Sequence, residues 1–340
     1  MAKNKRTIKN LIIFVLLIIL TFYIILKDQD ITEIAKVLQS VKLEYVLIAI
    51  IAMLIYFFLE TVNMGRTLKT LNEKSSFMQN FKYVLIGFFF SSITPAASGG
   101  QPMQIYYMHK NGISVANSTL SLLINLCSFQ IITISFAMIS LFFNHKYLTT
   151  GLVWLFIIGV TLNSIALALL LIGIFSKKLS AWLVKIAVKI LSFFKIKNIE
   201  DKQEKLEKEL FKYQGSAAYI KQNRIVMLKT ILTTFIQILF YYSIPFWVYC
   251  AFGFGEYNII QIISLQAILY ATVSGIPLPG AVGVSEGGFL GIFKNVFTTS
   301  TLNSAMILNR GISFYLFVLI SAILVISQTF AINKESDLTN

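Results

Sequence analysis

The chain has 340 residues, and its composition is that of a membrane protein. Apolar residues make up 56% of the sequence and charged residues 13%, about half of the roughly 25% found in soluble domains. The 29 Lys and Arg outnumber the 15 Asp and Glu, so the formal net charge is +14. These values exclude a soluble globular domain, a disordered chain and a coiled coil, and they favour an all-α polytopic membrane protein.

Long apolar runs predict six full transmembrane spans, because a helix needs about 20 apolar residues to cross a bilayer. The runs are residues 8–26, 45–64, 115–142, 151–175, 226–252 and 304–332. The basic start of the chain resembles a signal peptide but lacks a small-residue cleavage site, so we expect the first run to be retained. Two further apolar stretches, 77–112 and 258–298, are interrupted by proline and glycine. Their arms, of about 13–18 residues, are short for a full crossing.

Positive charge in the loops predicts which side of the membrane each loop occupies. The basic N-terminus, the loop around Lys69 and the 13 Lys and Arg of residues 176–229 are all expected to be cytoplasmic. An even number of spans already joins these points, so stretch 77–112 must enter and leave on the cytoplasmic side. The same reasoning makes 258–298 a re-entrant hairpin entered from outside, and it places both termini in the cytoplasm.

The two halves of the chain then have the same order of elements: span, span, re-entrant hairpin, span. The first repeat covers residues 1–145, and the second covers 146–340 and includes a basic cytoplasmic segment, 176–225. Because the first half starts outward and the second inward, the prediction is an inverted-topology repeat, which is common among transporters. The alternative is that each interrupted stretch forms two ordinary short spans. Matching interruptions in two halves favour the hairpins and indicate a transport site.

The basic segment has two parts with different expected roles. In residues 177–195, Lys178, Lys185 and Lys189 share one helical stripe, which is typical of an interfacial helix lying on anionic inner-leaflet lipid. Residues 198–213 alternate Glu with Lys, which predicts a solvated linker helix. This placement of basic charge in loops favours lipid and gives no indication of a nucleic-acid partner.

The two interruptions concentrate the residues that break helices. Four of the five prolines lie in residues 91–107 and 274–288. Proline and glycine free backbone polar groups, and such a break is tolerated at membrane depth only where protein buries it or where it lines a wet cavity. The half-helix N-termini that result attract anions such as a lipid phosphate.

The polar residues of the breaks have a simpler interpretation as helix caps. Ser98 and Gln101 have capping-box spacing, and Ser285 followed by Glu286 fits an N-cap and a first-turn acid. Glu286 and Arg310 are nevertheless candidates for function, because ionisable groups at membrane depth are rare. Glu286 is expected either to carry a proton or to partner a cation. Arg310 is expected to pair with Glu286, to hold a phosphate or to extend to the outer interface.

Other polar residues in the spans are expected to be structural. Glu60, Asn63 and Arg66 share a helix face, for which an interfacial ion pair is favoured over contact with the first hairpin. Four amides are expected to form interhelical hydrogen bonds: Gln130, Asn163, Gln237 and Gln266. Cys127 and Cys250 are expected to be reduced, and no catalytic residue, metal site or cofactor motif is present in the sequence.

The two breaks resemble the motifs of the lysylphosphatidylglycerol synthase/flippase membrane domain, a family that also contains standalone flippase-like proteins. The first motif runs from Thr94-Pro95 through Gly99-Gly100-Gln101-Pro102 to Tyr106-Tyr107. The second, Pro-x-Pro-Gly-x-x-Gly-x-x-Glu, runs from Pro277 to Glu286, and an arginine opening the last span matches Arg310. Many members carry Glu and Arg where this chain has Gln101 and Gln104, so the resemblance does not imply the same headgroup.

This resemblance implies a flippase that moves a phospholipid or glycolipid headgroup across the plasma membrane. The residues expected to bind the headgroup are Ser98, Gly99, Gly100, Gln101, Gln104, Tyr106, Gly280, Gly283, Ser285, Glu286 and Arg310. The first alternative is a membrane component of lysylphosphatidylglycerol synthesis that contributes to cationic-peptide resistance. Its partner would be a separate lipid-modifying enzyme, because we expect aminoacyl transfer to lie outside these 340 residues. A small-solute transporter and a homo-oligomer are left open.

Overall fold

The computed structural model describes residues 38–144, 150–178 and 199–338, together with isolated positions among 32–36 and 181–186. The described chain is helical throughout, as the composition predicts. We number its helices α1 Leu43–Thr70, α2 Phe77–Ser92, α3 Gly100–Lys110, α4 Val115–Asn144, α5 Thr150–Phe175, α6 Ile199–Gln222, α7 Arg224–Ala251, α8 Ile259–Val273, α9 Val284–Ile292, α10 Thr299–Arg310 and α11 Leu316–Leu338.

Five segments of the described chain are long and apolar enough to cross a membrane. They are Leu43–Thr70, Val115–Phe142, Gly151–Ile174, Arg224–Ala251 and Thr299–Gln328. Each coincides with a run predicted from the sequence, so five of the six predicted spans are confirmed as helices of suitable length. The remaining run, 8–26, lies outside the described residues, as does most of the predicted interfacial helix at 177–195.

Each interrupted stretch folds into a helical hairpin. In the first hairpin, α2 packs against α3 across a 3-10 turn at Pro95–Ala97, which we call the first tip. In the second hairpin, α8 packs against α9 across a 3-10 turn at Pro279–Ala281, the second tip. The four arms have 16, 11, 15 and 9 residues. At about 1.5 Å per residue, none reaches the roughly 30 Å of a bilayer core.

Both hairpins begin with the same local device. Ser76 forms a capping box with Gln79 at the start of α2, and Asn258 forms one with Gln261 at the start of α8. In each box the cap side chain accepts from a first-turn N–H while the glutamine accepts from the cap N–H. The first arm of each hairpin therefore starts at a fixed residue outside the apolar run.

The hairpins pack across the two halves of the chain. The core is built on α1 and α7, which lie against each other. The first arm of the first hairpin, α2, packs on α11, and the first arm of the second hairpin, α8, packs on α4. The two tips contact each other. Proline and glycine thus bring two backbone turns together inside the helical bundle.

Helix α6 contains most of the helix predicted at 198–213, and its first part is exposed as expected, but from Glu209 onward it is docked on α4 and α5. Glu209 accepts a hydrogen bond from the Ala116 N–H at 2.7 Å, and the Tyr213 hydroxyl donates to the Gly173 carbonyl at 2.8 Å. Ala217 and Ile220 are buried against α4 and its neighbours. The alternation of Glu and Lys predicts exposure along the whole segment. It gives no sign of the apolar stripe that begins after residue 209, where this alternation ends.

Candidate functional site

The two tips line a cavity of about 370 Å³ in the helical bundle. The arms of both hairpins, helices α1, α4 and α7, and the last span complete its wall. The wall mixes aromatic side chains with amides, hydroxyls and two residues of charged type, Glu60 and Arg310. A concave apolar site with a few converging polar groups is the usual form of a small-ligand or headgroup site.

Glu286 lies behind this wall, and its carboxylate is saturated with hydrogen bonds. It is the third residue of α9, where it accepts from the Gly283 N–H at 2.7 Å through Oε2. Its Oε1 accepts from Arg310 Nε and from the Tyr315 hydroxyl, both at 2.8 Å. Glu286 is 0% exposed and Arg310 is 7% exposed, so this is a buried ion pair. Such a pair is stabilised when additional hydrogen bonds serve the same groups, as those from Tyr315 and Gly283 do for the carboxylate here.

Arg310 joins the last span to the second tip. Besides Glu286, its guanidinium donates to the Gly280 carbonyl at 3.2 Å, and it lies over the Phe314 ring with 4.2 Å between Cζ and the ring centroid. The expected pairing of Arg310 with Glu286 is therefore present.

A π-helical turn at Gly311–Tyr315 brings the second donor to the same carboxylate. In an α-helix, residues five apart point about 140° away from each other. In a π-helix they lie nearly one above the other, because its hydrogen bonds run from residue i to i+5. Arg310 and Tyr315 therefore reach one carboxylate from one side of the last span.

The second tip requires glycine at Gly280. Its φ is +59°, in the left-handed region, and a Cβ there would lie 2.3 Å from Cζ of Phe314. Gly283, at φ +88°, occupies the N-cap of α9, so Ser285 lies in the first helical turn instead of at the cap. Glycine thus allows the tip backbone to approach the last span closely.

In the first hairpin, glycine allows close packing of the two arms. A Cβ on Gly100 would lie 2.0 Å from the Ser91 Oγ and 2.8 Å from the Gly87 carbonyl. The Gly99 N–H donates to Thr94 Oγ1 at 2.9 Å, and Gly99 is the N-cap of α3. The capping box expected between Ser98 and Gln101 is therefore not formed.

The structure brings some of the predicted headgroup residues to the cavity and leaves others outside it. Gln101, Gln104, Gly280, Ser285 and Arg310 line the cavity, with Glu286 directly behind Arg310. Gln104 is buried and donates to the Tyr83 carbonyl at 3.1 Å. The remaining predicted residues are not among those that line it: Ser98, Gly99, Gly100, Tyr106 and Gly283. The exposed ring of Tyr106 lies 5.2 Å from the Lys110 Nζ.

Glu60 belongs to the site, although the sequence favoured an interfacial ion pair for it. The structure places Glu60 on the cavity wall without an ion pair to any described residue. Arg66 instead donates to Asn63 Oδ1 at 2.7 Å, and Asn63 Nδ2 donates to Thr234 Oγ1 at 3.0 Å, which joins α1 to α7. The depth of Glu60 within its apolar run was the signal that could have identified it.

Several amides expected to join helices also lie at the cavity. Asn163 does join helices, because its Nδ2 donates to Ser274 Oγ at 2.9 Å. Gln237 and Gln266 are among the residues that line the cavity. Buried polar atoms without a partner in the described chain include both ends of the Asn125 amide, Gln266 Oε1 and Asn309 Oδ1, all on cavity-lining residues. Unpaired buried polar atoms are costly, so this wall is suited to water or a polar ligand.

Neither metal nor thiol chemistry is indicated in the described residues. No group of three or more His, Cys, Asp or Glu is arranged to hold a metal ion in the part of the chain that the structure covers. Cys127 and Cys250 are both free thiols. The described cavity residues can form hydrogen bonds and charge pairs with a ligand in partly apolar surroundings.

Comparison with known proteins matches the chain to a family. A family model described as the lysylphosphatidylglycerol synthase TM region matches residues 9–321, which include both hairpins, the cavity and the Glu286–Arg310 pair. No curated protein matches the chain.

Proposed function

Because the chain belongs to the lysylphosphatidylglycerol synthase transmembrane-region family and is a multi-pass membrane protein, we propose that it is a lipid flippase. It would move a phospholipid or glycolipid headgroup across the plasma membrane while the acyl chains stay in lipid. One observation carries this proposal: two hairpin tips meet beside a cavity that has converging polar groups, inside an otherwise apolar helical bundle. Transporters place their sites at such interruptions between repeats.

The proposed membrane arrangement has six full spans and two re-entrant hairpins in an inverted repeat. The first hairpin would enter from the cytoplasm and the second from outside, with the tips near the midplane and both termini in the cytoplasm. Three observations support it: the arms are short, both hairpins start with a capping box, and the cross-packing is reciprocal. The pairing of α2 with α11 in one half corresponds to that of α8 with α4 in the other.

We place the headgroup in the cavity, in contact with Gln101, Gln104, Ser285 and Arg310. A guanidinium has five N–H donors, and the Arg310 Nε and one terminal nitrogen already serve Glu286 and Gly280. Its remaining donors are suited to a phosphate. Ser98, Gly99, Gly100, Tyr106 and Gly283 complete the proposed set, and their contact with the headgroup requires another stage of the transport cycle.

A second candidate function is support of lysylphosphatidylglycerol synthesis, which the name of the matched family favours. In that case the chain would act with a separate aminoacyltransferase. Purified protein given lysyl-tRNA and phosphatidylglycerol would then form product only when that enzyme is added.

Reconstitution in liposomes tests the flippase proposal. Phosphatidylglycerol with a fluorescent headgroup label is placed in both leaflets, and an impermeant reductant then bleaches the label in the outer leaflet. We expect wild type to expose the inner label continuously, and a Glu286→Ala, Arg310→Ala double variant to expose it no faster than protein-free vesicles do. Glu44→Gln, an exposed change on α1, serves as the control. Equal rates for wild type and the folded double variant would overturn the assignment of the site.

A further inference from the structure

Glu60 is an acidic residue on the cavity wall, and no described residue forms an ion pair with it. It lies ten residues before the end of the 28-residue helix α1. At about 1.5 Å per residue it is roughly 15 Å from that end, near the middle of a bilayer core of about 30 Å. An ionisable group at that depth has a functional role by default.

The other charges at the cavity are already balanced. Among the described lining residues, Arg310 and Glu60 are the two of charged type, and Arg310 is neutralised by Glu286 at 2.8 Å. Glu60 has no hydrogen-bond donor and no ion-pair partner in the described chain. As a carboxylate, Glu60 would give the cavity a net negative charge.

The groups around Glu60 are neutral hydroxyls and amides. On its own helix, Tyr56 lies one turn before it, and Arg66, which is bonded to Asn63, lies beyond the cavity wall. Tyr241 comes from α7 and Tyr270 from α8. Helices α2, α3, α4 and α9 contribute no charged or titratable side chain to the wall in the described chain. Arg310 lines the cavity from the last span and is already paired with Glu286.

An unpaired carboxylate in such surroundings is costly, and the cost disappears when it binds a proton. The cavity can supply that proton through water. Its volume of about 370 Å³ is enough for several water molecules, since one water needs roughly 10–15 Å³ of such space. The hydroxyls and amides of the wall are suited to hold such water in place.

We propose that Glu60 is a proton-carrying site that couples headgroup movement to the transmembrane proton gradient. The proposal rests on the proposed flippase function. A proton from water on one side converts the carboxylate to the acid, and the same proton leaves to water on the other side after the cavity changes its access. Glu286 is not assigned this role, because Arg310, Tyr315 and the Gly283 N–H already occupy its carboxylate with three hydrogen bonds.

The first test detects the proton without using any substrate. Infrared difference spectra of the purified protein in lipid nanodiscs are recorded as the pH is changed. We expect a carboxylic-acid band that titrates in wild type and in the matched Glu44→Gln control, and that is missing in Glu60→Gln. A band of unchanged size in Glu60→Gln would overturn the proposal.

The second test measures coupling with the fluorescent phosphatidylglycerol liposomes and the membrane potential clamped at zero. With one proton per headgroup, a gradient of one pH unit shifts the ratio of label between the leaflets about tenfold in wild type and in Glu44→Gln. The label that Glu60→Gln translocates, at whatever rate, is expected to show no shift with the gradient. A full shift in Glu60→Gln overturns the coupling. Absence of translocation by wild type under both conditions overturns the flippase function itself and the coupling that rests on it.

Discussion

At the scale of single residues, the pair of Glu286 and Arg310 is the tightest polar assembly of the site. Removing one partner of a buried pair leaves an uncompensated charge and costs about 3–5 kcal/mol, whereas removing both is often tolerated. Both residues belong to the wall between the second tip and the last span, so their pairing also fixes the shape of the cavity.

This reasoning predicts an unusual order of stability among variants. Arg310→Met is expected to lower the melting temperature strongly, because it leaves the Glu286 carboxylate without its cation. Adding Glu286→Gln to Arg310→Met is expected to recover most of that loss. Melting temperatures of the detergent-purified single and double variants give the coupling between the two residues. Lys294→Met, at an exposed lysine, controls for loss of a positive charge. Additive losses would contradict the account.

Sequence reasoning at this scale succeeded where a local motif fixed the surroundings. The sequence motif indicates the glycines of the second tip, Glu286 and Arg310 as candidates. The pairing of Glu286 with Arg310 is one of the expectations stated above. Glu60 was misjudged, because spacing along a helix specifies its face but not which helix that face will meet. The residues that share the cavity wall with Glu60, such as Tyr241 and Tyr270, come from α7 and α8, which are far away in the sequence.

At the scale of elements, the junction between α6, α4 and the loop after α1 shows how α6 is held. The Glu73 carboxylate accepts from Asn117 Nδ2 at 2.7 Å and from Ser114 Oγ at 2.9 Å, and Lys212 Nζ of α6 lies 3.4 Å away. Partial burial raises the pKa of Glu73, but the hydrogen bonds from Asn117 and Ser114 and the charge of Lys212 outweigh it and lower the pKa below its ordinary value.

The direction of this pKa shift predicts the pH dependence of α6 docking. A carboxyl whose pKa is lower in the folded state stabilises the fold above its unfolded value of about 4.3, and this is lost as the pH falls through the folded pKa. We expect hydrogen exchange in residues 199–222, corrected for its intrinsic rate, to quicken over that range in wild type. Glu73→Gln is expected to exchange faster at neutral pH and to lose the pH response.

Glu207→Gln, an exposed acidic position on α6, is the matched control and should behave as wild type does. A pH response that survives in Glu73→Gln would show that another group holds the helix.

The junction also shows a limit of charge patterning. Alternating Glu and Lys predicted a solvated helix, while individual members of that pattern serve as long-range partners.

At the scale of the whole molecule, apolar length and the proline and glycine breaks sufficed to place the described helices. Five predicted spans coincide with helices, and both interrupted stretches contain two short helices around a 3-10 tip. The sequence did not predict which of these helices pack against each other. The contact between the tips and the cross-packing of α2 on α11 and α8 on α4 depend on side chains from distant segments.

The central claim is that each hairpin enters and leaves on one side, the first from the cytoplasm and the second from outside. Labelling of single cysteines with an impermeant reagent in oriented vesicles tests it most directly. Lys74→Cys and Lys110→Cys, at the two ends of the first hairpin, are predicted to react only from the cytoplasmic side. Glu256→Cys and Ser300→Cys, at the ends of the second, are predicted to react only from outside. Reaction of the two ends of one hairpin from opposite sides would contradict the account.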